Sequence, residues 1–308
     1  MKRKVTFNDW LEGARLRTLP AAVAPVFLGT CAAYTLGSGN LLRAFLAALV
    51  ALGLQVGVNF ANDYSDGIRG TDDQRVGPLR LTASGLVPAK TVLGVALGCF
   101  GFAGLMGVIL LALSGDWWLL IFGILAVIAA WFYTGGKKPY GYLGFGEVMV
   151  ILCFGFLATQ GTLWTQAHAA PWWTWLIAAG VGLLSADLLM INNIRDIPTD
   201  RVAGKKTLAV RLGESKARKA YAQILVAAWV LGLIAVLASG PSTAAWYSWN
   251  WWGALLFLPS VLGVPLLSLP VVRGKAQGRK LIVTLRNTGL YTLLYSLLLG
   301  IGLLLSAL

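Results

Sequence analysis

Apolar runs of about twenty residues recur along this chain, and they leave few alternatives for its fold. That length, as a helix, is what crosses the hydrocarbon core of a bilayer. Nine runs are read, at roughly 18–37, 43–62, 91–113, 117–134, 144–164, 173–194, 219–239, 251–272 and 288–308, with ends placed to about two to four residues. Of the 308 residues, 57% are hydrophobic and only 12% charged, about half the charge of a soluble domain. A membrane barrel would show short alternating strands instead. The expectation is an all-α polytopic membrane protein, a single domain over residues 1–308 with nine transmembrane helices.

The basic residues test this layout. If loops alternate between two sides, every lysine and arginine except Arg43 falls on one side. The positive-inside rule makes that side cytoplasmic, together with the N-terminus, and puts the C-terminus outside a cell membrane. Trp117, Trp172, Trp175, Trp251 and Trp252 gather near the opposite boundary, where indoles favour the headgroup level. The net charge of +13 therefore reads as topology and as attraction for an anionic substrate, not as a nucleic-acid surface. Cys31, Cys99 and Cys153 have no metal-ligand spacing and read as small buried side chains.

Two polar clusters break the apolar pattern at the cytoplasmic ends of even-numbered spans. The first, Asn62-Asp63-Tyr64-Ser65-Asp66 followed by Asp72 and Asp73, puts four carboxylates in eleven residues. The second is Asn192-Asn193-Ile194-Arg195-Asp196 with Asp200. Residues four apart share a helix face, so Asn62 pairs with Asp66, Asp63 partly joins them, and Asn192, Asp196 and Asp200 form a matching stripe. The echo divides the chain into two weakly related halves, about 1–140 and 141–308. Oxygen ligands without histidine or cysteine suit Mg²⁺, which binds one or two carboxylates together with substrate phosphates. The expected metal ligands are Asn62, Asp63, Asp66, Asp72, Asn192, Asp196 and Asp200. Neighbouring Arg69, Arg75, Arg195, Lys205 and Lys206 are expected to bind diphosphate oxygens.

Two further acids fall within apolar runs, Glu147 and Asp187, and acids at membrane depth are functional candidates by default. Glu147 follows the turn-rich loop Tyr133 to Tyr142 and is placed to reach the same cavity; Asp187 is equally readable as a structural partner of a neighbouring helix. His168, the single histidine, lies in an outer loop away from the chemistry.

These clusters resemble the two aspartate-rich motifs of UbiA-type intramembrane prenyltransferases, over essentially the whole chain. Gly70-Thr71-Asp72-Asp73-Gln74-Arg75-Val76-Gly77-Pro78, Asn192-Asn193-Ile194-Arg195-Asp196 and Ala203-Gly204-Lys205-Lys206-Thr207 are similar to the 1,4-dihydroxy-2-naphthoate polyprenyltransferases of menaquinone synthesis. So are Arg17-Thr18-Leu19-Pro20 and Tyr133-Thr134-Gly135-Gly136. The resemblance departs where Gly70 displaces the last acid of the first motif, leaving Asp72 or Asp73 for that role. It implies that Mg²⁺ on Asp66, Asp196 and Asp200 holds a polyprenyl diphosphate, which ionises to an allylic cation. The naphthoate ring then attacks, carbon dioxide leaves, and demethylmenaquinone results, with the tail in an apolar tunnel open to lipid. Tyr133, Lys137, Lys138, Tyr140 and Glu147 are the expected acceptor-side residues.

Another aromatic acceptor on the same fold is the alternative. A membrane transporter is a remoter one, disfavoured because its polar groups should gather at the bilayer midplane and these gather at one surface.

Overall fold

The computed structural model describes residues 3–71, 79–240 and 248–307. Among them the regular structure is helical throughout. Helix α1 (Phe7–Ala14) begins where the backbone N–H and hydroxyl of Thr6 both donate to Asp9, at 2.8 and 2.9 Å. A short 3₁₀ turn, Leu16–Thr18, leads into α2 (Pro20–Thr35), which opens on a proline whose missing N–H needs no partner there. The axis bends by 50° between these two parts.

Helices α3 (Leu41–Ile68) and α4 (Ala89–Ser114) pack along each other, α4 ending at Gly115 in the left-handed region. Next comes α5 (Leu119–Phe132). The following span, Gly146–Ala167, is α6 (Gly146–Val150), a π-helical stretch at Ile151–Leu157, and α7 (Ala158–Ala167). After α8 (Trp172–Val202) and the short α9 (Leu208–Leu212) comes α10 (Glu214–Ala238). Helices α11 (Trp251–Phe257) and α12 (Gly263–Val272) are one span joined by a 3₁₀ turn containing Pro259, and α13 (Arg279–Leu304) closes the bundle.

The apolar runs are where they were expected, but a count of nine spans is not reproduced. Among the described residues seven helices are long and apolar enough to cross a membrane, and an eighth results if the bent N-terminal pair counts as one. Helix α5 has 14 residues, about 21 Å at 1.5 Å per residue, short of a core about 30 Å thick.

Helix α8 is the axis of the bundle. Its apolar stretch is 72% buried, against 28% for α3 and α4. Leu28 of α2, Ile177, Leu184 and Ile191 of α8, Leu225 of α10 and Tyr295 and Leu299 of α13 form one core around it. Gly155 lets the π-helical stretch lie directly on α8: a Cβ there would come within 2.8 Å of Gly182 Cα. On the outer faces Phe102, Leu105, Ile121, Trp252, Leu262 and Leu266 are exposed, the arrangement of a protein whose solvent is lipid. The chain is an integral membrane protein.

The lone basic residue at the far end has a structural task. Arg43 donates to the carbonyls of Thr165 (2.8 Å) and Leu113 (2.7 Å), satisfying last-turn acceptors of α7 and α4 with a cation at their negative ends.

Candidate active site

The two polar stripes converge. The last turns of α3 bury Asn59, Asn62, Asp63 and Asp66, and the matching turns of α8 bury Asp196 and Asp200. Asn62 and Asp66 face Asn192, Asp196 and Asp200 across the head of a cavity of about 680 Å³. Below that head the walls turn apolar: Leu54 and Val58 of α3, Leu110 of α4, Ile124 of α5, and Phe154 and Leu157 of the π-helical stretch.

Asp66 is the hub. Lys205 Nζ lies 3.3 Å from its Oδ1, and an Arg80 guanidinium nitrogen lies 3.8 Å from its Oδ2. Tyr142 donates its phenolic hydroxyl to the same Oδ1. The Lys205 ammonium also lies over the Tyr142 ring, 4.6 Å from its centroid, so the lysine is held by a carboxylate and an aromatic face together. Burial and then the Asp66 charge hold the Tyr142 phenol above the ordinary tyrosine range, which keeps it a hydrogen-bond donor.

Several expected site residues prove to be scaffolding. Asp63 accepts the backbone N–H groups of Leu81 (2.8 Å) and Thr82 (2.9 Å) and is 1% exposed. It lies outside the cavity lining because it is one residue, about 100° of helix, past Asn62. Its role is to pin the loop that carries Arg80. Arg69 donates to the carbonyls of Thr134 and Gly136, clamping the 133–145 loop to the end of α3 instead of facing the cavity. In the same clamp Thr134 donates to Asn62 Oδ1 at 2.7 Å. Arg195 makes a two-pronged ion pair with Asp196, both contacts 2.7 Å, which fixes the orientation of that carboxylate. Glu147 accepts from Asn193 (2.9 Å) and is not part of the lining. Lys137, Lys138 and Lys206 are exposed and outside the lining. Tyr133 and Tyr140 do border the cavity, their rings edge to face at 5.6 Å. Asp72, Asp73 and Arg75 lie outside the described residues.

Asp187 stands apart. It is fully buried in the middle of α8, outside the cavity lining, and neither carboxylate oxygen has a hydrogen-bond partner among the described residues.

Whether these oxygens suit a metal ion depends on how the ion is shared. Among the described residues no three His, Cys, Asp or Glu side chains lie close enough to hold one ion. Mg²⁺ does not need three; it keeps waters and shares itself between one or two carboxylates and phosphate oxygens. The oxygen donors at the head of the cavity, placed separately on α3 and α8, fit ions shared in this way.

Sequence reasoning missed Arg80, Tyr142 and Arg15, all of which line the cavity. Tyr142 was legible as the second tyrosine of the Tyr140-Gly141-Tyr142 turn; for Arg80 and Arg15 no local pattern separates them from other loop cations.

Lipid-facing helices around a cavity with carboxylates and amides at one end and apolar walls below define an intramembrane protein with an amphipathic pocket. Residues 22–269 match the UbiA prenyltransferase family, and the chain belongs to it. It is 44% identical over 292 residues to a 1,4-dihydroxy-2-naphthoate octaprenyltransferase of Mycobacterium tuberculosis, 95% of each chain being covered. It is 42% identical to the protein of the same name from Mycobacterium leprae, with the same coverage. A solved UbiA homologue from Archaeoglobus fulgidus, bound to GPP and Mg²⁺, shares the fold: the TM-score is 0.67 at 16% identity, over 96% of this chain and 99% of that one.

Proposed function

We propose that this protein transfers a polyprenyl group from polyprenyl diphosphate to 1,4-dihydroxy-2-naphthoate, with loss of carbon dioxide, to give demethylmenaquinone at the quinol level. The observation that carries this reading is the convergence of the α3 and α8 stripes on the head of one apolar cavity. The relatives named for the naphthoate reaction support the choice of acceptor.

Charge supports a metal-assisted reaction. Among the described residues lining the cavity, Asp66, Asp196 and Asp200 are balanced by Arg15, Arg80 and Lys205. A formally neutral pocket does not by itself compensate a diphosphate bearing several negative charges. Asn62, Asp66, Asn192, Asp196 and Asp200, which line the cavity, would hold Mg²⁺; Asp63 is left out because it lies outside that lining, its oxygens accepting from the 79–88 loop. When bound, Mg²⁺ supplies positive charge to the departing diphosphate.

The chain's own groups do the rest. Lys205 and Arg80, already beside Asp66, offer charged donors to diphosphate oxygens. The apolar walls take the tail and keep water from the allylic cation, and the faces of Tyr133 and Tyr140 border the space where it forms. The basic loops support a cell-membrane orientation with the N-terminus and this site cytoplasmic and the C-terminus outside.

The test is turnover by purified protein in nanodiscs, with a polyprenyl diphosphate and 1,4-dihydroxy-2-naphthoate, in Mg²⁺ or in EDTA. Prenylated, decarboxylated product only with Mg²⁺ is expected. Product with another phenolic acid alone would correct the acceptor, and no prenyl transfer to any acceptor would overturn the reading.

A further inference from the structure

Of the three cations that line the cavity among the described residues, Arg80 and Lys205 stand at Asp66. The third, Arg15, enters from the N-terminal segment. It sits just past α1 in the left-handed region, at φ 54 and ψ 60. Among the described residues only Arg15 and His168 adopt positive φ without being glycine. A helix end of this kind normally takes glycine, because a Cβ is crowded there. An arginine in that place carries a conformational cost.

The corner is locked from beneath. Thr18 donates its hydroxyl to the Arg15 carbonyl (2.9 Å), and Gln55 of α3 donates to Thr18 Oγ1 (2.8 Å). Asn59 of α3 donates to the Ala14 carbonyl (2.9 Å) and to Thr18 Oγ1 (3.1 Å). Gln55 and Asn59 are buried, and both line the cavity with Thr18 and Arg15. These neutral amides and one hydroxyl leave Arg15 as the charge of this wall. Tyr133 and Asp66 line the same cavity.

We infer that Arg15 is the residue that selects an aromatic acceptor bearing a carboxylate. The inference rests on the proposed prenyl transfer. A guanidinium offers two parallel donors to a carboxylate, a match that a neutral diol lacks. In the transfer, the bond from prenyl C1 to diphosphate oxygen breaks with its electron pair leaving on diphosphate, and a ring carbon forms the new bond to C1. The carboxylate departs as carbon dioxide and returns its C–C pair to the ring. Because the anion held by Arg15 exists before the reaction and not after it, Arg15 acts on acceptor affinity. Its signature is KM for the acceptor, not kcat.

Arg15→Gly removes the guanidinium at a backbone position that glycine suits, and Arg15→Lys keeps a cation there. Full-length protein in nanodiscs is tested for binding 1,4-dihydroxy-2-naphthoate and its decarboxylated analogue 1,4-dihydroxynaphthalene, and for turnover. The parent protein is expected to bind the carboxylate form at least tenfold more tightly. Arg15→Gly should erase that preference and raise acceptor KM at least tenfold, with the KM for polyprenyl diphosphate within twofold of the parent; Arg15→Lys should fall between. Arg15→Gly that keeps the carboxylate preference, or that weakens diphosphate and both acceptors alike, would overturn the inference. Loss of the preference in Arg15→Gly, in a protein that transfers no prenyl group at all, would uphold the binding role and sink the reaction.

Discussion

Lys205 and Asp66 stand 139 positions apart in sequence, and 3.3 Å separates ammonium from carboxylate oxygen in a buried pair. The contact joins the end of α8 to the end of α3 at the head of the cavity. Removing one partner leaves the other buried and uncompensated, which is worse than removing both. Asp66→Asn is expected to abolish turnover, by at least a thousandfold, in protein that still folds in membranes. Lys205→Met should lower kcat by about a hundredfold, the scale of losing one charged donor at a departing anion. Near-normal turnover in Asp66→Asn would remove the metal-clamp mechanism.

Asp63 should behave quite differently from Asp66 although three residues separate them. Its carboxylate holds two backbone amides of the 79–88 loop, and charged hydrogen bonds of this kind contribute about 1.5–3 kcal/mol each. Asp63→Ala is expected to cost about 3 kcal/mol in unfolding measurements and to admit protease cleavage near Leu81. A stable Asp63→Ala protein that loses only Mg²⁺ dependence would return Asp63 to the ligand set.

The Tyr142 phenol is held above its ordinary range by burial and by Asp66. A raised tyrosine pKa means the folded state keeps a proton that the unfolded chain gives up first. Its stabilising effect is whole below about pH 10, the unfolded value, and fades as pH rises through the folded one. Turnover between pH 6 and 9 should therefore carry no limb from Tyr142. Tyr142→Phe should reduce kcat about tenfold without changing the profile's shape; a limb in that window that disappears in Tyr142→Phe would contradict the assignment.

Arg43 is expected to matter for stability alone. It ties the carbonyl ends of α4 and α7 at the face opposite the site. Arg43→Ala should cost about 1–2 kcal/mol and leave kcat and both KM values within twofold. A selective loss of turnover, at unchanged thermal stability, would show that the far end of the cavity takes part in catalysis.

The α3 and α8 stripes were legible because four-residue spacing fixes a shared helix face whatever surrounds it. Asp63 was misread for the same reason: adjacency in sequence to Asn62 puts it a quarter turn away, towards a loop that local pattern does not place. Loop cations were the least legible. Arg69, Lys137, Lys206 and Lys205 look alike as residues near acids, and only the tertiary path of the 133–145 and 203–207 segments makes one a carbonyl clamp, two exposed and one the partner of Asp66. Arg15 was read as topology because its aim depends on a left-handed corner held by α3. The nine runs found the right segments, yet hydropathy does not show that α5 stops at 14 residues.

The π-helical stretch at Ile151–Leu157 makes the cavity wall adjustable by length. A π turn holds one residue more than an α turn, so deleting a single residue there is absorbed by tightening to an ordinary helix, with no backbone group stranded in lipid. What changes is local: the helices on either side keep their facing, because the wider and the tightened turn close the same rotation with one residue more or fewer. Which of Cys153, Phe154 and Leu157, all now lining the cavity, still faces it then depends on the residue removed. Insertions and deletions at this point thus act as a dial on which side chains meet the isoprenoid tail, set by chain length without any substitution.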